Sequence, residues 1–225
     1  MIAVIPARSK SKRIKNKNLK LIGGKPIIAW TIEAAKKSKI FKKIIVSTDC
    51  IKIANVAKKY GAEVPFLRPK NLSDDQTNIK DVMIHVIKKM NKLYYHKYYC
   101  LLYATAPFIL YKDLKKGYKL IKSKKNLDFV ISMNEIDNRF LRGVYIKNNS
   151  IRPIFRNRIM TRSQDLPKVY LDSAHFTFGK NSSWLKKKHP FLSKSSIVEI
   201  PKNRSIDVDT ISDFNDLKKR FKKRK

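Results

Sequence analysis

Short apolar runs alternate with amphipathic segments along most of the chain, and this alternation constrains the fold more than any other feature. The first apolar run covers residues 2–5, and after a polar loop Pro26 can open a helix. A second apolar run, KIIVSTD, precedes a second amphipathic segment at 51–60, which Gly61 ends. Strand, helix, strand, helix is the order typical of a parallel α/β sheet.

The same alternation continues to the end of the chain and predicts one domain over residues 1–225. Further helices are expected at 79–93, 113–121 and 181–187, and further strands at 98–103, at 129–132, in AHFTFG and in SSIVEIP. A last helix opens at Asp209 or Thr210, either of which can cap it. The predicted fold is a mostly parallel, twisted sheet with helices on both faces.

The alternation breaks between residues 134 and 170, where no helical period or long apolar run is found. This segment holds half of the 12 arginines of the chain, namely Arg139, Arg142, Arg152, Arg156, Arg158 and Arg162. The planar guanidinium group of Arg binds carboxylate and phosphate in a bidentate way that the Lys ammonium group cannot match. A local preference for Arg over Lys therefore indicates a binding role for this segment. We interpret the segment as an insertion or arm that either dimerises or reaches a substrate.

The chain carries 52 basic and 17 acidic residues, and this formal net charge of +35 raises nucleic acid as a partner. Forty of the basic residues are Lys, however, and they are scattered through almost every predicted helix, as an AT-rich coding sequence would produce. Composition alone therefore leaves open both a basic nucleic-acid-binding protein on an α/β scaffold and an enzyme with a biased surface.

Compartment and redox state are indicated by two simpler features. No apolar run approaches the roughly 18 residues of a membrane span, and the first apolar stretch precedes its charges, the reverse of a secretory signal. We therefore expect a cytoplasmic protein that has no membrane partner. Cys50 and Cys100 are too few for a disulfide framework or a four-ligand zinc site, and both are expected to be free thiols.

Cations crowd the loop after the first predicted strand, in the sequence IPARSKSKRIKNKN at residues 5–18. Ligands of a parallel sheet bind beyond the carboxyl ends of its strands, so this loop is placed to receive a polyanion such as a triphosphate. From spacing alone, a merely charged surface loop is the alternative.

This loop resembles the signature of the cytidylyltransferases that activate nonulosonic acids, which typically runs IPARGGSKRIPRKN. Ser9 and Lys10 replace its two glycines, and Lys15 and Asn16 replace its Pro-Arg pair. The resemblance continues through GKPIIAWTIEAA, IIVSTD, YGAEVPFLRP and YATAPF over nearly the whole chain. It implies a Rossmann-like nucleotidyltransferase fold with a small dimerisation arm, a homodimer, and CTP and a nonulosonic acid as substrates.

The resemblance also implies roles for individual residues. Arg8 and Lys17 look like the triphosphate-binding, catalytic cations of that family. The remaining nucleotide contacts are implied at Ser11, Lys12, Asn18, Arg68 and Thr105.

Two aspartates near the carboxyl end, Asp207 and Asp209, stand two residues apart in SIDVDT. On an extended segment both side chains point the same way, and paired carboxylates facing a triphosphate suit Mg²⁺. The alternative for Asp209 is a helix cap. The family resemblance favours the metal, because the metal-binding pair of that family lies at this position.

The segment TRSQDLPKVYLDSAHFTFG (residues 161–179) resembles the sugar-acid region of the same family, and its start looks most like that of the pseudaminic acid branch. Sugar contacts are expected from Arg162, Gln164, Tyr170, Asp172 and His175, with a buried core histidine as the alternative for the last.

The reaction that the resemblance implies is attack of the sugar-acid anomeric hydroxyl on the α-phosphate of CTP, which gives a CMP-sugar and pyrophosphate. Pseudaminic acid is the expected acceptor, and N-acetylneuraminic, legionaminic and 3-deoxy-manno-octulosonic acids remain alternatives.

Overall fold

The computed structural model describes residues 1–11, 13–206 and 208–223. The strands in this part of the chain are β1 (Ile2–Pro6), β2 (Leu21–Ile22), β3 (Lys25–Pro26), β4 (Lys43–Ser47), β5 (Tyr98–Leu102), β6 (Phe129–Ile136), β7 (Val144–Lys147), β8 (Ser150–Pro153), β9 (Val169–Lys180) and β10 (Ser195–Glu199). Its α-helices are α1 (Ile27–Ser38), α2 (Ile51–Lys59), α3 (Ile79–Asn91), α4 (Tyr111–Ser123), α5 (Asn181–Leu185) and α6 (Ile211–Lys222).

Six of the described strands form the central sheet, in the order β10-β6-β9-β5-β1-β4. Strand β1 pairs in parallel with β4 and β5, and β10 pairs in parallel with β6. Only β9 runs antiparallel to its neighbours among the described strands of this sheet. The expected mostly parallel α/β architecture is therefore confirmed.

Both faces of the sheet are covered by helices, and alternate residues of each strand pack on opposite sides. In β1, Ala3 and Ile5 pack with helices α1, α2 and α4 in one buried cluster. Ile2 and Val4 pack on the other face with α3 and with Trp184 of α5. No described helix is both long enough and apolar enough to cross a membrane.

Strands β6 and β9 are longer than their local sequence predicts, since their ends pair with each other from Ile136↔Val169 onward. The predicted arm at 134–170 therefore begins and ends inside the sheet, and residues 137–168 connect the two strands through short 3₁₀ turns and the β7–β8 hairpin. A bulge interrupts the pairing beside Ser132, whose hydroxyl accepts from the amide of Phe176 at 2.9 Å. Ala174 in this bulge has a left-handed φ of 52°.

Helix α6 closes the structure beside the loop that follows β1. Phe214 and Leu217 of α6 pack with Val208 and with Ile14 of the loop in a third buried cluster. The helix is capped by Thr210, whose hydroxyl accepts from an amide one turn into the helix while its own amide donates to the Asp213 carboxylate. Thr210 and not Asp209 therefore supplies the capping side chain.

Candidate active site

The candidate site lies where the direction of chain progression across the sheet reverses. The chain passes from β1 to β4 on one side and later to β5 on the other, so β1 stands between them. This reversal opens a crevice at the carboxyl ends of β1 and β5, the usual ligand position in such sheets. Residues from the loop after β1 and from the strand end at Tyr103 to Thr105 meet there.

The crevice contains a cavity of about 190 Å³. Its polar walls come from the first loop, from the end of β5 and from the segment before α6, and they are Arg8, Ser11, Arg13, Lys17, Asn18, Thr105 and Asp209. The structure thus brings most of the predicted nucleotide contacts to one place. Lys12 and Asp207 lie outside the described residues.

The first loop reaches this arrangement without the two glycines of the family signature. Among its described residues only Asn16 has a positive φ, 55°, which Asn tolerates better than most residues. The side chain of Asn18 is buried and donates to the carbonyl oxygen of Arg8 at 3.0 Å. Ser9 and Lys10 therefore stand where no left-handed backbone conformation is needed.

The cations of the cavity are paired with carboxylates of the protein itself. Arg8 contacts the Asp75 carboxylate at 3.0 Å and donates to the carbonyl oxygen of Asp74 at 2.7 Å. Arg13 and Lys17 both face the Asp209 carboxylate, at 2.9 and 3.7 Å respectively. The positive side chains of Arg8, Arg13 and Lys17 therefore line one cavity, and the Asp209 carboxylate faces the last two of them.

Arg68 lines a second cavity of about 300 Å³, which shares Arg8 and Ile79 with the first. Only 5% of this arginine is exposed. Its Nε donates to the hydroxyl of Ser73 at 3.1 Å, whereas its buried Nη2 has no hydrogen-bond partner among the described groups. Burial lowers the pKa of the Arg68 guanidinium, although the nearby charge of Asp49 opposes this effect. Arg68 therefore offers a desolvated donor beside the cationic cavity.

A third cavity, of about 140 Å³, adjoins the first through their shared residues Ile79 and Tyr103. Asp172 and Thr177 of β9 line it, together with Asn78 and His189. Of the predicted sugar contacts, only Asp172 lies in its wall. The Asp172 carboxylate also accepts from the amide of Ala174 at 2.8 Å, which stabilises the bulge in β9.

The other predicted sugar contacts line none of the cavities described above. Arg162 and Gln164 lie on an exposed 3₁₀ turn, where Arg162 pairs with Asp165 at 2.9 Å. Tyr170 stands in β9 opposite Glu135. Within a single chain, the side chains of Arg162, Gln164 and Tyr170 therefore do not line the cationic cavity.

His175 is placed in the core, with 1% of its surface exposed. Its Nδ1 lies 2.7 Å from the carbonyl oxygen of Ser173, and burial lowers the pKa of the ring to about 4. The ring is therefore neutral at pH 7 and separated from the described cavities. A sugar contact from His175 is not supported, because the bulge in β9 turns this residue inward; the alternative of a core histidine fits.

Asp209 is the described carboxylate that fits a metal in this crevice. Its side chain is 38% exposed, and its hard oxygen donors suit Mg²⁺, which takes few protein ligands and completes its shell with phosphates and water. No group of three or more His, Cys, Asp or Glu side chains that could enclose a metal occurs in the described part of the chain. As far as the described residues go, a metal at Asp209 would take its other ligands from a bound phosphate and from water.

Several cavity residues were not among the predicted contacts, and Arg13 and Tyr103 of the first cavity are the most informative of them. Arg13 belongs to the same cationic run, and its pairing with Asp209 follows from the position of α6, which no local pattern reveals. Tyr103 separates the first and third cavities, and the signal for it is its place directly after β5.

Comparison with known proteins extends these observations. A family model described as cytidylyltransferase matches residues 2–211. A pseudaminic acid cytidylyltransferase of Campylobacter jejuni is 38% identical over 226 residues, covering 98% of this chain and 96% of the relative. A CMP-N,N'-diacetyllegionaminic acid synthase of Legionella pneumophila is 30% identical over 221 residues, covering 95% and 93%. The solved structure of a CMP:2-keto-3-deoxy-manno-octonic acid synthetase complexed with CTP has the same fold, with a TM-score of 0.76 at 15% identity over 100% of this chain and 99% of that one.

The family match runs from the first residue of β1 to the first residue of α6. It therefore includes the cationic loop, the buried Arg68, the strand end at Thr105 and the carboxylate of Asp209. The expected fold and the expected class of enzyme are both confirmed: this chain belongs to the cytidylyltransferase family.

Proposed function

We propose that this protein transfers CMP from CTP to the anomeric hydroxyl of pseudaminic acid and releases pyrophosphate. The observation that carries this proposal is the cation-lined cavity at the carboxyl ends of β1 and β5, with Asp209 facing Arg13 and Lys17. The choice of sugar is supported by 38% identity to the pseudaminic acid cytidylyltransferase of Campylobacter jejuni. Because the reaction consumes CTP, we expect the protein to act in the cytoplasm.

The base of CTP is proposed to bind in the second cavity, against Arg68. Its Nη2 has no partner among the described groups and almost no accessible surface, so a shift of the side chain would present this donor to an acceptor on the pyrimidine ring. Such a donor rejects ligands that leave it unpaired. Arg8 lines both the first and the second cavity, so it stands between the base and the phosphates. Asn18 and Thr105 complete the nucleotide contacts from the shared side of the crevice.

The triphosphate is proposed to bind in the first cavity, where it replaces protein carboxylates as the partner of Arg8, Arg13 and Lys17. A triphosphate carries more negative charge than Asp75 or Asp209 and offers several acceptors, so it competes well for these cations. Ser11 adds a neutral donor, and the resemblance assigns Lys12 to the same group. Release of Asp209 from its cations frees its oxygens for a metal.

An in-line displacement at the α-phosphate needs positioning and charge neutralisation and no covalent enzyme intermediate. Arg8 and Lys17 are proposed to stabilise the negative charge that develops on the leaving pyrophosphate. Asp209, and Asp207 as the resemblance implies, would hold a Mg²⁺ ion that would neutralise charge on the phosphate oxygens.

The sugar acid is proposed to enter the third cavity, which Tyr103 joins to the first. Neutral and anionic side chains such as those of Asp172, Thr177 and Asn78 can form hydrogen bonds with the hydroxyl and acetamide groups of the sugar. Arg162, Gln164 and Tyr170 remain proposed contacts that require either movement of their segment or a neighbouring subunit.

A homodimer would supply that neighbour. The β7–β8 hairpin exposes large apolar side chains that a monomer leaves in water, among them Tyr145, Ile146 and Ile151. We therefore propose that a second copy of the chain covers the hairpin. Light scattering should give twice the chain mass of 26.3 kDa, and a mass of one chain would reject the dimer.

The enzyme assay tests the proposed function directly. Purified protein is incubated with CTP, Mg²⁺ and pseudaminic, N-acetylneuraminic, legionaminic or 3-deoxy-manno-octulosonic acid, and pyrophosphate is measured. The highest kcat/KM is expected with pseudaminic acid. Turnover of another acid alone would correct the sugar, and no pyrophosphate with any of the four would reject the proposal.

A further inference from the structure

The carboxylate of Asp49 receives two hydrogen bonds from one residue of the cationic loop. The amide of Ser9 donates to Oδ1 at 2.8 Å, and the Ser9 hydroxyl donates to Oδ2 at 2.5 Å. Asp49 follows β4, whereas Ser9 follows β1, so this contact joins the carboxyl ends of two paired strands. It lies outside the walls of the three cavities that hold the proposed substrates.

The Asp49 carboxylate is ionised at neutral pH. Burial by itself raises its pKa, but the hydroxyl and amide of Ser9, followed by the charge of Arg68, outweigh burial and lower the pKa below its ordinary value. Both contacts with Ser9 are therefore charge-assisted hydrogen bonds, which are about twice as strong as neutral ones.

Ser9 stands where the family signature has a glycine, so the hydroxyl bond to Asp49 depends on the serine that this chain has there. A glycine offers only its amide to Asp49, whereas Ser9 offers the amide and the hydroxyl together. The hydroxyl thus adds a second restraint at a position where the backbone is already less flexible than that of glycine.

The peptide group that follows the Cα of Arg8 takes part in this contact and in a second one. Its own carbonyl oxygen accepts from Asn18, and the next residue, Ser9, is bound to Asp49. The peptide group between Arg8 and Ser9 is therefore held at its oxygen and at its nitrogen. On the amino side, the amide of Ala7 donates to the carbonyl oxygen of Ser47 at 2.9 Å, while the guanidinium of Arg8 reaches the first and second cavities. A restrained backbone reduces the entropy that is lost when the side chain binds an anion.

We propose that Asp49 is a positioning residue, which acts through Ser9 to hold Arg8 and the loop in the conformation that receives the triphosphate of CTP. This inference rests on the proposed function. It predicts that Asp49 affects the binding and turnover of CTP and leaves the sugar-acid site unchanged, because the sugar cavity is formed by other elements.

The test is a double-mutant cycle with Asp49→Ala, Ser9→Ala and the double variant. Asp49→Ala removes both charge-assisted bonds, so kcat/KM for CTP is expected to fall by at least about 10-fold, with KM for the sugar acid unchanged. Ser9→Ala keeps the amide bond and is expected to lose less. The double variant is expected to match Asp49→Ala, because the hydroxyl of Ser9 contributes nothing once the carboxylate that it binds is gone.

Glu63→Ala is the matched control, because Glu63 is an exposed carboxylate that pairs with Lys43 near the other end of β4. Asp49→Asn serves as a second variant that keeps one acceptor, and thermal unfolding of each variant reports whether it folds. Calorimetric titration with CTP measures the same cycle as a dissociation constant, independently of turnover.

The results separate the two proposals. Either of two results would reject the positioning role. In the first, the losses of Ser9→Ala and Asp49→Ala multiply in the double variant. In the second, Asp49→Ala binds CTP as well as Glu63→Ala does. Wild-type protein that binds CTP and releases no pyrophosphate with any sugar acid would reject the proposed function and leave the binding cycle to decide the role of Asp49.

Discussion

Arg204 and Asp113 form an ion pair that ties the segment before Asp209 to the first turn of α4. Both terminal nitrogens of the Arg204 guanidinium donate to the Asp113 carboxylate, with Nη2 at 3.2 Å from Oδ1. The Asp113 side chain is only 5% exposed. Arg204 also donates to the carbonyl oxygen of Phe108 at 3.3 Å, so it holds the connection after β5 as well.

Removing one member of this pair is expected to destabilise the fold. Arg204→Met leaves the buried Asp113 carboxylate without its cation, which should lower the free energy of unfolding by about 3 kcal/mol. The double variant Asp113→Leu/Arg204→Met removes both charges and should recover most of this loss. Urea unfolding of the two variants and the wild type measures the difference, and an Arg204→Met variant as stable as the wild type would contradict it.

Features of the fold and the site that depend on local sequence were predictable, whereas features that depend on contacts between distant residues were not. Local periodicity located the main strands and helices, and the position of the cationic run after β1 predicted its place at the crevice. The ends of β6 and β9 were not predictable, because Ile136 and Val169 become strand residues only by pairing with each other. The burial of His175 depends likewise on the bulge in β9, whose extra residues become apparent only when β9 pairs with Ile131 and Met133 of β6.

Lys17 is expected to contribute to turnover through its charge. Its ammonium lies 3.7 Å from Asp209 and lines the cationic cavity. Lys17→Met keeps most of the side-chain volume and removes the charge, so kcat should fall by about 100-fold, the scale seen when one transition-state donor is lost.

The matched control is Lys15→Met, because Lys15 lies in the same loop, is exposed and does not line the cavity. It removes the same net charge and should leave kcat unchanged. Pyrophosphate release at saturating CTP and sugar acid compares the two variants. Equal losses in both would mean that the general positive potential of the loop, and not the position of Lys17, supports the reaction.

Asp209→Asn is expected to weaken the response to Mg²⁺. The amide keeps the size of the side chain and loses the negative charge, so the Mg²⁺ concentration that gives half-maximal rate should rise by about 10-fold or more. Asp216→Asn is the control, because Asp216 is an exposed carboxylate of α6 that lies beside Lys219. Rates measured across a Mg²⁺ titration decide the matter, and identical titration curves for Asp209→Asn and the control would exclude a metal at Asp209.

The buried ring of His175 is expected to make the fold sensitive to acid. Burial lowers its pKa to about 4, against 6.5 for an exposed histidine; Arg204 lowers it further, whereas the Ser173 carbonyl and the Asp113 charge oppose the shift. Between these two pH values the unfolded chain binds a proton that the folded chain does not, so acidification from pH 6.5 to pH 4 should remove up to about 3 kcal/mol of stability.

His175→Gln has no ring to titrate and should show a smaller loss over the same range. The lowered pKa values of His85 and His96 are common to both proteins, so the difference between their urea unfolding curves at each pH isolates His175. Parallel pH dependences in the two proteins would show that His175 is not the group responsible.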